Sequence, residues 1–272
     1  MKKIKKNDIN LYDTITCGQI FRFIVNDGEF ILILSDRVVK LTEDDNYIYI
    51  ASSNEEDIED IVSTFLGLSI DYDKINNELI LSDSSLESMI NDCKGFKITN
   101  SPKFETIVSY IISANNNVRN IQKCVNLLSE RYGEKVIFEG NTYYLFPTLD
   151  VLKNITIEEL NDIKLGFRSK YIYELVNNIT LSDIDKIDEM STRDAINYLT
   201  SFKGIGLKIA SCILLFGYKR LDVFPIDTWV KKYMSDNYGI SDIKDIEKYA
   251  KDNYKEYSGL AIQYMFHSKR NK

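Results

Sequence analysis

The chain has 272 residues and a formal net charge of -7, a length that suggests about two domains. Hydrophobic residues make up 44% and charged residues 28%, ordinary usage for a folded soluble protein, which excludes a disordered or fibrous chain. The single histidine, His267, and the four cysteines at 17, 93, 124 and 212, none spaced as C-x-x-C, argue against multi-histidine metal sites, zinc ribbons and cysteine-ligated iron–sulfur clusters, and for thiols kept reduced in a cytoplasm.

The basic N-terminus, MKKIKKNDIN, is not followed by the apolar stretch of a signal peptide. Residues 19 to 51 read as an antiparallel meander. Phe21, Phe23 and Val25 fall on one face of a strand over 19–26, and Asp27-Gly28 is a two-residue hairpin signal. Phe30, Leu32 and Leu34 share a face of the next strand. Asp36-Arg37 turns into 38–42, and 47–51 closes the run. Ser53 and Glu56 have capping-box spacing, which predicts a helix from 53 whose apolar face is Ile58, Ile61, Val62 and Phe65. A soft domain boundary is expected between Cys93 and Asn100, giving a sheet domain over 1–97 and a helical domain over 98–272.

From residue 103 the helical period dominates. It predicts helices over 103–114, 117–132, 156–163, 168–179, 192–202, 207–218, 227–237 and 242–253, with a hairpin over 136–146 turning at Gly140-Asn141. The longest near-apolar run, 209–218, is far shorter than the roughly 20 residues that span a bilayer, so no membrane association is expected.

The stretch 192–229 carries the chemistry. A helical face of Ala195, Ile196, Leu199 and Phe202 is broken by Lys203-Gly204-Ile205-Gly206 and resumes with Ile209, Cys212, Ile213 and Phe216. This is helix, glycine hairpin, helix. The glycines free the backbone and clear side chains from main-chain N–H groups at a helix N-terminus, which suits a phosphate. A dinucleotide-binding turn would need a preceding strand and a glycine at 209, but a helix precedes and Ile209 stands there. Residues 203–232 hold six cations (Lys203, Lys208, Lys219, Arg220, Lys231, Lys232) against Asp222 and Asp227. Six minus two is a local +4 in an acidic chain, the footprint of a nucleic-acid backbone. Lys208 stands in the first helical turn, where a cation opposes the helix dipole. A lysine that loses its proton is a nucleophile able to form a Schiff base. Asp227, after Phe224-Pro225-Ile226, has two readings: the N-cap of the next helix, or a carboxylate that steadies a cationic sugar.

F-K-G-I-G-L-K-I-A-S-C followed by F-P-I-D resembles the hairpin and Gly/Pro-Asp motif of the helix-hairpin-helix (HhH-GPD) DNA glycosylases, in particular the 8-oxoguanine DNA glycosylase/AP lyases. Four more segments fit in order: 17–23 is similar to G-Q-x-F-R-W, 113–117 to S-x-N-N-N, 165–168 to the wedge loop, and 259–266 to the C-terminal base-pocket helix. The resemblance implies an α+β chain, with an N-terminal antiparallel twisted β-sheet domain followed by a mostly α-helical HhH-GPD domain. It implies excision of 8-oxoguanine from duplex DNA, then strand cleavage by β-elimination, by a cytoplasmic, nucleoid-associated monomer with no metal and no cofactor.

The resemblance also implies roles. Lys208 is the nucleophile and Asp227 its carboxylate partner. Cys212 and Phe266 flank the flipped base, with Ile262 and Gln263 at the pocket. The Gly18 carbonyl accepts the N7 hydrogen that guanine lacks. Asn115 fills the vacated space, Phe167 wedges the stack beside Arg168, and Lys203, Gly204 and Gly206 hold the backbone. The arginine that reads the orphan cytosine falls on Asn120, with Arg119 one position early, and the usual histidine two after the aspartate is Trp229. These departures look more like the bacterial members. Two other readings stand beside this one: a monofunctional glycosylase for alkylated or mismatched bases, and a non-catalytic DNA-binding module. A binding module has no need of Lys208 paired with Asp227.

Overall fold

Five strands build the N-terminal sheet: β1 (Lys2–Lys5), β2 (Phe23–Asn26), β3 (Glu29–Leu34), β4 (Arg37–Glu43) and β5 (Tyr47–Ser52). They pair antiparallel in the order β1-β5-β4-β3-β2. The computed structural model describes residues 2–270, so the outermost ends of the two expected domains, residue 1 and residues 271–272, lie outside it. Asp27 and Gly28 both have positive φ (46° and 82°), the mirror-image turn that matches strand twist, and they set Asn26 opposite Glu29. One face of the sheet buries Phe30, Leu32, Leu41 and Ile50 against Leu11 and Ile15 of α1 (Leu11–Thr16) and Val62 and Phe65 of α2 (Ile58–Phe65).

Three local expectations are corrected here. The first strand begins at Phe23, because Gln19 is drawn out of the sheet by its own hydrogen bonds. The turn after β3 is Ser35-Asp36, with Leu34 opposite Arg37. α2 starts at Ile58 behind a left-handed Asp57, so no Ser53–Glu56 capping box forms; the Ser53 hydroxyl instead accepts the Val38 N–H at 2.9 Å. Strand β1, unforeseen, pairs Ile4 with Ile48.

The remaining helices are α3 (Tyr72–Ser82), α4 (Leu86–Asp92), α5 (Lys103–Ser113), α6 (Val118–Tyr132), α7 (Leu149–Lys153), α8 (Ile157–Asp162), α9 (Arg168–Asn178), α10 (Leu181–Lys186), α11 (Thr192–Thr200), α12 (Leu207–Gly217), α13 (Thr228–Tyr238), α14 (Ile243–Tyr254) and α15 (Ser258–Arg270). The eight helices expected from 103 to 253 are all present, each within two residues of its expected ends. The hairpin between α6 and α7 pairs β6 (Lys135–Phe138) with β7 (Asn141–Tyr144). Its tip is Glu139-Gly140, both at positive φ, one residue earlier than expected. Phe138 packs with Ile31 and Val38 on the outer face of the sheet, tying the helical part to the sheet.

Helix α5 is buried on every side from Thr106 to Ser113 and packs along α12, itself buried from Ile209 to Gly217. Around them runs one apolar core. It takes in Cys17 and Phe21 before β2, Leu79 and Phe96 beyond the sheet, and the helices as far as Met265. The segment ahead of the sheet is therefore anchored in the helical core.

Candidate active site and nucleic-acid interface

The hairpin turns at Gly204. Its φ is +87°, and a Cβ there would lie 2.5 Å from Cδ2 of Tyr171, so both backbone and space demand glycine. Gly206 differs from the expectation of two permissive glycines: its φ of -92° and ψ of 177° suit any residue. A Cβ on it would meet nothing within 4 Å. What Gly206 leaves is open space in front of the first N–H groups of α12. Leu207 beside it is 58% exposed.

Lys208 is half-buried in the first turn of α12. Cys212, one turn on, is 6% exposed. Burial pushes the Cys212 thiol up; the Lys208 amine, which hydrogen-bonds toward its sulfur, pulls the other way, and Asp227 adds to the upward push. The thiol stays protonated and serves as packing surface, and the same interactions place Lys208, Cys212 and Asp227 in one electrostatic neighbourhood. Asp227 caps α13, its Oδ1 accepting the Val230 N–H at 2.8 Å. The ion pairs among the described residues do not join it to Lys208. The capping reading of Asp227 holds, and the carboxylate is half-buried.

An aromatic cluster stands at the start of α13. Phe266, 37% exposed, meets Trp229 edge-on at 5.4 Å, and Trp229 stacks on Tyr233 at 5.1 Å. Ile262, one turn before Phe266, is buried in the core, and Gln263 is half-buried. The turn at Gly18 has φ +104°. Its neighbour Gln19 is clamped: Nε2 donates to the carbonyls of Thr14 (3.0 Å) and Lys97 (2.8 Å), and Oε1 accepts the Thr99 N–H at 3.0 Å. Tyr110 of α5 donates its hydroxyl to the Gln19 carbonyl at 3.2 Å. Behind the turn, Arg22 pairs with Glu105 at 3.5 Å and donates to the Tyr144 carbonyl. Sequence reasoning missed Tyr110 and the Arg22–Glu105 pair altogether.

The exposed loops form a second group. Asn115 is exposed and left-handed (φ 50°), and Phe167 is 52% exposed. Arg168 corrects its expectation as a direct DNA contact. It is 9% exposed, and its guanidinium donates to Ala114 O (2.9 and 2.6 Å), Asn115 O (2.9 Å) and Leu165 O (3.3 Å). It bolts the Asn115 turn to the Phe167 loop. Arg220 is likewise turned inward, onto the carbonyls of Ile187, Asp188 and Met190. Lys203 pairs with Glu174 at 3.2 Å but stays 69% exposed, a weak surface pair that a phosphate can replace. Arg119, Lys231 and Lys232 are exposed. The local basic patch is real but thinner than the sequence count. Among the described residues no group of His, Cys, Asp and Glu is arranged to hold a metal ion, and no helix is long and apolar enough to cross a membrane.

Comparison with known proteins gives this geometry a family. The family model described as 8-oxoguanine DNA glycosylase, N-terminal domain, matches residues 2–107, and that of the HhH-GPD superfamily base excision DNA repair protein matches residues 108–256. The chain belongs to the 8-oxoguanine DNA glycosylase family of the HhH-GPD superfamily. It is 33% identical to the Clostridium acetobutylicum 8-oxoguanine glycosylase/lyase in its apo-form, covering 98% of this chain and 99% of that one with a TM-score of 0.90. The same Clostridium protein in complex with dsDNA containing cytosine opposite 8-oxoG gives 31% identity and a TM-score of 0.91, over 100% of this chain and 98% of that one. The N-glycosylase/DNA lyase of Saccharomyces cerevisiae is 26% identical over 92% of this chain and 74% of its own length.

Proposed function

We propose that the chain is a bifunctional DNA glycosylase/AP lyase that excises 8-oxoguanine from duplex DNA and then cleaves the strand by β-elimination. The observation that carries this is Lys208: a half-buried amine at the start of α12, directly after the hairpin, with Cys212 and Asp227 in its electrostatic neighbourhood.

The base leaves the stack because its glycosidic bond is otherwise unreachable. Phe167 fills the gap in the stack and Asn115 the space the base vacates, with Arg168 holding both loops at a fixed separation. The flipped base lies between Cys212 and Phe266, above Ile262 and beside Gln263. The Gly18 carbonyl accepts its N7 hydrogen; guanine presents a lone pair there instead, leaving two acceptors face to face. The phosphates flanking the flipped nucleotide rest on the hairpin amides at Gly204 and Gly206, with Lys203 and Arg119 adding charge. The sugar lies between Lys208 and Asp227. The Lys208 ammonium gives a proton to the departing base, and the freed amine forms a bond to C1′ as the C1′–N9 bond breaks, the bonding pair leaving with the base. Asp227 steadies the positive charge on the sugar. The sugar ring opens to the protonated Schiff base, loss of a C2′ proton expels the 3′ phosphate, and water then frees the lysine. These steps draw on no cofactor. The partner is double-stranded DNA, bound by one copy of the chain, and the place of work is the cytoplasmic nucleoid. With Arg119 one position from the place of the cytosine-reading arginine and Arg168 committed to carbonyls, reading of the opposite base is loose.

The test is borohydride trapping on a duplex with one 8-oxoguanine opposite cytosine. A covalent adduct is expected with the natural chain and none with Lys208→Gln, duplex binding being retained. Base release without any adduct would instead identify a monofunctional glycosylase, and binding without turnover a DNA-binding module.

A further inference from the structure

We propose that Tyr110 is a positioning residue that holds the Gly18 turn and the Lys208 amine in a fixed relation, so that base recognition and nucleophilic attack act as one unit; this rests on the function proposed above. Tyr110 sits in the middle of α5 and is 4% exposed. One side of it grips the recognition turn: the hydroxyl donates to the Gln19 carbonyl at 3.2 Å, and the ring meets Phe21 edge-on at 5.5 Å. The other side grips the nucleophile's helix: the ring stacks on Phe216 of α12 at 5.7 Å with planes 13° apart, and the Lys208 amine stands over it, 6.0 Å from its centre. A cation at that distance from a ring face is attracted to it.

The hydroxyl matters because of what Gly18 is. A glycine at φ +104° has no side chain to limit its ψ, so its carbonyl is free to swing unless the next residue is held. Gln19 is held by its side chain at Thr14, Lys97 and Thr99 and, on its main chain, by Tyr110. The direction of the Gly18 carbonyl distinguishes a protonated N7 from a lone pair, so the clamp on Gln19 sets selectivity. Cleavage at an abasic site needs Lys208 but no base, and so depends on the ring and not on the hydroxyl.

The two parts separate experimentally. Tyr110→Phe removes only the hydroxyl; Tyr110→Leu removes the ring as well. Single-turnover excision is measured on an 8-oxoguanine duplex and strand cleavage on a duplex with a preformed abasic site, both per mole of borohydride-trappable protein on the abasic duplex, which corrects for any misfolded fraction. For Tyr110→Phe the ratio of excision to cleavage falls roughly tenfold, the worth of one buried hydrogen bond. For Tyr110→Leu cleavage falls as well. A Tyr110→Phe protein whose two rates are unchanged, or fall by the same factor, overturns the proposal. Failure of the underlying functional reading shows separately, as absence of excision by the natural chain.

Discussion

A methyl group at Gly204 probes the hairpin and the wedge loop together. The backbone there has φ +87°, and the added Cβ would lie 2.5 Å from Cδ2, 2.6 Å from Cγ and 2.9 Å from Cβ of Tyr171. These atoms are at the root of the side chain, so no rotation of the ring relieves the overlap and Tyr171 must move as a body. Tyr171 supports Phe167 edge-on at 5.8 Å, and Phe167 moves with it. A left-handed alanine costs about 1–2 kcal/mol, and overpacking a close contact adds about 1–3 kcal/mol. For a chain of this size that sum lowers the melting temperature by roughly 4–10 °C. Gly206→Ala is the control. Its backbone is ordinary and the new methyl meets no atom within 4 Å, so stability stays within about 0.5 kcal/mol of the natural chain. That methyl does project into the space where a phosphate approaches the hairpin amides, so duplex affinity falls. Circular-dichroism melts and fluorescence-anisotropy titrations with a labelled duplex measure both. The reasoning fails if Gly204→Ala melts with the natural chain, or if Gly206→Ala melts as low as Gly204→Ala.

Two other perturbations test the frame of the site. Arg168→Ala strips the donors from three loop carbonyls and should cost about 2–4 kcal/mol, with a matching loss of duplex affinity; Arg168→Lys should not restore either, since a point charge cannot span Ala114, Asn115 and Leu165 as a planar fork does, and rescue by lysine in melting and binding assays would contradict the bolt. Asp83 accepts hydroxyl hydrogens from Ser85 (2.6 Å), Tyr254 (2.7 Å) and Tyr238 (2.9 Å), joining α3 and α4 to α13 and α14. Burial pushes its carboxyl up, but these bonds together outweigh it, and its pKa falls below the ordinary 3.8. A depressed carboxyl contributes stability that is present above the unfolded value and lost as pH falls through the lower folded value. Asp83→Asn should cost about 1–3 kcal/mol at neutral pH, and in urea unfolding the gap to the natural chain should close below pH 3.8. A gap that stays constant as the pH is taken well below that value would refute the assignment.

How far the sequence reveals this molecule depends on where each signal comes from. Eight helices after residue 103 were legible because their apolar spacing is set within each helix, whereas the short α7 and α10 were not. Strand β1 was not: KKIK reads as a basic tail, and its identity comes from a partner, β5, more than forty positions away. The Ser53 cap failed for the same reason, its hydroxyl being taken by Val38 of another strand before any helix could use it. For the proposed site, the motif sets the spacing of Lys208 and Asp227, so both candidates can be named from the sequence. Charge alone misled for Arg220. A count of cations gives no direction to Arg220, nor does the wedge-loop resemblance to Arg168, and both spend their donors on carbonyls at loop ends that only the folded chain brings together.

Tyr110 marks the deeper limit. Every residue from Thr106 to Ser113 is buried, so no periodicity distinguishes one side chain of α5 from its neighbours, and a tyrosine there reads as core. What separates it is the single polar atom at its tip. A buried hydroxyl must find a partner, and the partner it finds is a main-chain carbonyl ninety-one positions earlier, in a turn that the sheet and two helices deliver to the same place. The residues proposed to do the chemistry are written locally, whereas the one proposed to hold it in register is defined by contacts between distant segments. For this fold, substitutions that change activity without touching Lys208 or Asp227 should therefore concentrate on α5 and the Cys17–Arg22 segment, where the two halves of the chain share one core.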